Sequence, residues 1–146
     1  MMRPLLLTLC LALAACKNLA QTGITFAPHP AYPLDSAAQR AFAVAEHIAR
    51  SHGMHSITGE SQEVENWRQC FGLVTLFLCG KVYNGEIQFR MDQPHASHFG
   101  PRADSIRREL VDSLGSRFGR SRVRECRWLV NQTPPGSGCM PAAGGT

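Results

Sequence analysis

The chain has 146 residues, 44% hydrophobic and 18% charged, with six Cys and a formal net charge of +4. That length fits one domain and excludes a large multidomain enzyme, and the composition is not that of a disordered, collagen-like or coiled-coil chain. One apolar run is long and free of charge; it covers residues 5–15 and is too short to span a bilayer as a mature helix.

The first sixteen residues read MMRPLLLTLCLALAAC: one positive residue, Arg3, then the apolar run, then small residues. This is the three-part layout of an export signal. Its last four residues, Leu13-Ala14-Ala15-Cys16, resemble the lipobox of bacterial lipoproteins, in which an aliphatic residue and two small ones precede an invariant Cys. The resemblance covers these sixteen residues only. It implies cleavage before Cys16, a diacylglyceryl group on the Cys16 thiol and acylation of the new N-terminus, hence a palmitate-type anchor that two or three chains make stable. By resemblance to enterobacterial sorting, Lys17 directs the product to the outer membrane, facing the periplasm. An ordinary secretory signal cut later, after Ala20, is the alternative. With residues 1–15 removed, loss of Arg3 lowers the formal charge from +4 to +3.

Residues 16–34 read as a lipid-anchored tether, stiffened by Pro28, Pro30 and Pro33, within which Gly23-Ile24-Thr25-Phe26 is a candidate short strand. The folded core is expected over 35–131. Ser36-Ala37-Ala38-Gln39, preceded by Asp35, is a capping-box candidate. Ala38, Phe42, Ala45, Ile48, Ala49 and His52 then recur at helical spacing until Gly53. Residues 54–58 form a short strand candidate. Residues 74–83 and 86–92 flank Asn84-Gly85, the strongest short hairpin signal, which pairs Val82 with Ile87, Gly80 with Phe89 and Leu78 with Met91. Pro101 opens a second helix in the N1 manner, with an apolar stripe of Ile106, Leu110, Val111, Leu114 and Phe118, closed by Gly119. A last strand is expected over 122–130, with Val123 and Leu129 on one side and Cys126, Trp128 and Val130 on the other. Residues 132–146 are rich in Pro, Gly and Ser and read as an irregular tail.

The expected fold is a two-layer α+β sandwich: an antiparallel sheet of about four strands with two helices on one face. A strand at 23–27 turns this layout into a ferredoxin-like one, a fold that by itself licenses no activity.

Cys10 leaves with the signal and Cys16 carries lipid, so Cys70, Cys79, Cys126 and Cys139 remain. An even number in an exported domain reads as two disulfides. Four Cys allow three pairings, of which sequence proximity favours Cys70–Cys79 with Cys126–Cys139. Zinc held by cysteine is opposed by the oxidising compartment and by the lack of a CxxC pair.

The remaining candidates for chemistry are few. His52 and His55 straddle Gly53, and His95 and His98 share a loop with Asp92, a donor set that suits Cu or Zn. Glu60, Glu63 and Glu65 cluster before Trp67 in a polar stretch. No GxSxG, HExxH, P-loop or dinucleotide fingerprint occurs. The expectation is therefore no enzyme, no cofactor and no resident metal, with a periplasmic metal-binding protein kept as an alternative.

Arginine is the more informative residue. In the second helix Asp104, Arg108 and Asp112 compensate one another at i,i+4. Arg117, Arg120, Arg122, Arg124 and Arg127 face only one nearby acid, Glu125. Such a segment suits an acidic protein, lipopolysaccharide phosphates or phospholipid headgroups, and the compartment argues against nucleic acid. The leading expectation is a membrane-anchored, non-enzymatic binding or assembly module of the bacterial envelope. An inhibitor or immunity-type lipoprotein that blocks an envelope-acting enzyme is the second.

Overall fold

A computed structural model describes residues 19–58, 68–126 and 139–141. In chain order the elements are β1 (Leu19–Phe26), α1 (Leu34–Ser51), β2 (His55–Ser56), β3 (Gln69–Leu73), β4 (Leu76–Tyr83), β5 (Glu86–Pro94), α2 (Pro101–Phe118), a 3₁₀ turn (Arg120–Arg122), β6 (Arg124–Cys126) and β7 (Cys139–Pro141). They build an α+β fold on one antiparallel sheet of order β2-β3-β4-β5-β1-β6-β7. The sheet has seven strands among the described residues, against the four expected. Its middle strands, β6-β1-β5-β4, keep the split β-α-β arrangement: β1 and β4 are each antiparallel to β5, which lies between them.

The tether expectation is corrected over 19–34. Leu19–Phe26 is a central strand, paired with β5 along its whole length and with β6 over Gly23, Ile24 and Thr25. Its Ile24 and Phe26 are fully buried. The three prolines follow it and shape the loop into α1. The capping box is not formed either. α1 begins at Leu34 with Pro33 as its N-cap and no side-chain cap bond, so Ser36 lies inside the first turn beside Asp35, whose charge suits that end. The helix closes as expected at Gly53, whose φ of +79° lets Gly53 N–H reach the Arg50 carbonyl and Met54 N–H the Ala49 carbonyl, a Schellman pair.

The expected hairpin is present with the expected register, and both turn residues have positive φ, Asn84 at +50° and Gly85 at +76°. The 74–83 strand is corrected at its start. Val74 and Thr75 are the turn of a second hairpin that joins β3 to β4. The last expected strand is shortened, because Arg120–Arg122 coil into a 3₁₀ turn and pairing begins at Arg124. Residues 127–130, including Trp128 and Leu129, lie outside the described residues, as does most of the tail, but the expectation of an irregular tail is corrected over Cys139–Pro141, which pair with β6 as β7.

Side-chain alternation gives the sheet two distinct faces. Ile24, Phe26, Phe71, Leu78, Ile87, Phe89, Met91 and Val123 form one core with the buried stripes of both helices. Phe26 stacks on Phe118 with ring centroids 4.7 Å apart, and Phe42 meets Phe89 edge-on at 5.8 Å. The other face carries Cys79, Lys81, Gln88, Arg90, Asp92, Gln21, Thr25, Arg124 and Cys126. There Cys70 and Cys79 sit directly opposite each other, Cα atoms 4.1 Å apart, and form a disulfide.

Candidate binding surfaces

The ladders give the sheet two ends of different chemistry. Leu19 pairs with Pro94, and Phe77 pairs with Asp92 two residues earlier on β5, so Leu19, Pro94 and the Val74-Thr75 turn lie at one level. Phe26, the Asn84-Gly85 turn, the end of α2 and the 3₁₀ turn lie at the other. Eight residues of β1 separate the two ends by about 23 Å.

The arginine segment belongs to the Phe26 end. Arg117 and Arg120 are exposed and Arg122 is half-buried. Arg120 lies 3.8 Å from Asp112, an exposed and loose pairing that holds little energy. Arg117 and Arg122 have no ion pair among the described residues. Arg124 differs from its neighbours. It lies on the sheet face away from the helices and bonds Glu86, whose other carboxylate oxygen accepts the Thr25 hydroxyl at 3.0 Å. Arg127 lies outside the described residues. The expected five-residue patch is thus three outward arginines and one that is internally compensated.

Asp112 therefore serves Arg120 rather than Arg108, which among the described residues keeps only Asp104, at 3.2 Å. Arg107 is the charged centre of α2 that the sequence analysis missed. It bonds Asp104 at 2.8 Å and reaches Glu125 of β6 at 2.7 Å, tying helix to sheet. The hydrogen bond from Arg107 holds the Asp104 carboxyl below its ordinary pKa, against the opposing effect of burial. Burial alone pulls the Arg107 guanidinium down, but Asp104 and Glu125 together outweigh it and raise it. Contact between elements 18 residues apart leaves no periodic trace in a sequence.

Two further residues at the Phe26 end were also missed. Tyr32, in the loop that leaves β1, is 62% exposed, and Tyr83, beside the Asn84 turn, is 47% exposed. The Lys81 ammonium lies 5.2 Å from the Tyr83 ring centroid. Burial, then the Arg90 charge, push the Lys81 ammonium below its usual pKa. The third exposed large hydrophobe among the described residues, Val74 at 88%, stands at the opposite end.

The sheet face away from the helices is polar, and its charged groups lie against one another. Gln21 donates to Asp92 Oδ1 at 2.7 Å, and Arg90 Nε lies 2.7 Å from Asp92 Oδ2. Asp92 is thereby committed and does not join His95 and His98, of which His98 meets Ser97. His52 Nε2 lies 2.7 Å from Glu109 of α2, and His55 sits exposed on β2. No group of three His, Cys, Asp or Glu comes together among the described residues. Glu60, Glu63 and Glu65 lie outside them. Of the remaining cysteines, Cys126 is disulfide-bonded, and the β6–β7 register sets Cys139 opposite it.

No helix among the described residues is long and apolar enough to cross a membrane. Compared with protein-family models, curated proteins and solved structures, the chain matches none.

Proposed function

We propose that this chain is a lipid-anchored binding module of the bacterial envelope, without enzymatic activity, held at the outer membrane through Cys16 and facing the periplasm. The observation that carries the reading is the polarity of the sheet. The lipobox-like Leu13-Ala14-Ala15-Cys16 ends three residues before β1, and the outward arginines occupy the opposite end. Only Lys17 and Asn18 separate Cys16 from Leu19, so the anchored domain stands at the membrane surface instead of sampling space on a long tether.

This geometry also supports one partner among the anions weighed above. Arg117, Arg120 and Arg122 stand about 23 Å beyond the start of β1, almost three screening lengths at physiological salt. With β1 directed away from the anchor, the headgroups of the anchoring membrane are remote from them. Two exposed tyrosines at the same end add the residue type that, with Arg, dominates protein interfaces. The partner is an acidic protein surface.

Arg117→Gln, Arg120→Gln and Arg122→Gln combined should slow association and remove the salt dependence of partner recovery, because rim charges act mainly on on-rate. Arg124→Gln, which breaks an internal pair, serves as the comparison. The check is recovery of cross-linked envelope proteins at low and high salt. Identical recovery from wild type and triple variant at both salts would overturn the reading.

A further inference from the structure

The two tight turns of the sheet make the same backbone demand at their first position and meet it with opposite residues. Asn84 and Val74 both have φ of +50° at the first position of a two-residue turn. Asn is among the side chains that accept this conformation, whereas a β-branched residue resists it. Val74 gains nothing from the fold in return, since 88% of it is exposed. An outward hydrophobe held in a strained conformation calls for a reason outside the folding of the chain.

Its surroundings supply one. Cys70 to Gly80 reads CFGLVTLFLCG, without a charged residue, so the tip half of the β3–β4 hairpin is uncharged and the first charge on β4 is Lys81, near the strand's far end. The hairpin tip lies level with Leu19 and two strands away, about 10 Å across the sheet. Three residues of chain place the Cys16 Cα within about 11 Å of Leu19. We infer that the Val74-Thr75 tip seats in the lipid surface beside the acyl anchor, and so fixes the domain upright with its arginine end directed away. The inference rests on the lipid-anchor reading. A second apolar contact next to the acyl chains also supplies what a single point of attachment lacks, a defined orientation.

The test uses the full acylated chain in vesicles of phosphatidylethanolamine and phosphatidylglycerol, with a photoreactive residue at position 74 or, separately, at position 84. Lipid adducts at 74 should exceed those at 84 by about tenfold, since the far turn stands a strand's length outside the interfacial layer. In the unsubstituted chain, amide exchange over 73–76 should slow on vesicles relative to Cys16→Ala in buffer, with exchange over 83–86 unchanged. Intact mass separates the two levels of the argument. An acylated protein with equal adducts at both turns, or with unchanged exchange at 73–76, overturns the seated tip and leaves the anchor standing. A wild-type chain without acyl mass overturns both.

Discussion

At the scale of single residues, the Asn84-Gly85 turn shows what a short sequence can specify. Positive φ at both positions admits few side chains, and the alternating partners on each side leave only one register that buries Ile87, Phe89 and Met91 together. Gly85 has nothing within 4 Å of where a Cβ would sit, so its requirement is purely conformational. Gly85→Val should therefore destabilise the domain by about 1 kcal/mol or more through backbone strain alone, read as a lower denaturation midpoint at unchanged m. An unaltered midpoint would show that the turn tolerates a β-branched residue and would remove the case for strain at Val74 as well. Val74 itself was illegible for the same reason: Val inside an apolar run reads as strand, and nothing local announces a turn. The arginines were legible as a cluster but not as individuals, because Glu86 and Asp112 approach Arg124 and Arg120 only through the fold.

At the scale of elements, both helices, the 84–85 hairpin and the short β2 were readable because each carries its own period or punctuation. β3 was not, since Gln69–Leu73 runs without Asn or Pro into Val74-Thr75 and on into β4, and its Gly72 lies inside the strand and not at the turn. β1 was half-readable: Gly23 to Phe26 showed strand character, but the prolines that follow made the region resemble a linker. What joins the elements is a specific fit that no period encodes. Gly80 lies opposite Phe89 on β4, and a Cβ there would come within 2.8 Å of both the Phe89 and Phe42 rings. These rings are rigid and packed edge-to-face, one from the sheet and one from α1, so neither yields by rotating a flexible tip. Gly80→Ala is expected to cost about 1–3 kcal/mol in equilibrium unfolding, although Ala is the better residue by intrinsic propensity. Stabilisation by this substitution would mean that α1 stands farther from β4 than these contacts require.

At the scale of the whole molecule, the position of β1 bears on the proposed processing of the chain. Ala20 is buried, Leu19 and Ala20 pair with Pro94 and Gln93, and the strand they open is flanked on both sides. A signal cut after Ala20 takes those two residues away and leaves Gln21 to begin a shortened central strand. A cut before Cys16 leaves the strand whole. The comparison can be made without any lipid, by preparing one chain that begins at Lys17 and another that begins at Gln21. Both lack Cys16, so neither carries a stray thiol beside Cys70, Cys79, Cys126 and Cys139. The longer chain should be more stable by about 1–2 kcal/mol, the combined worth of one buried methyl group and the end of a hydrogen-bonded ladder. The measurement is urea unfolding of the two oxidised proteins under the same conditions. Equal midpoints would mean that Leu19 and Ala20 contribute nothing to the sheet, and the fold would then be indifferent between the two cleavage sites. A difference of the expected size makes the later cut costly to the domain, and ties the proposed fifteen-residue signal to the architecture that follows it.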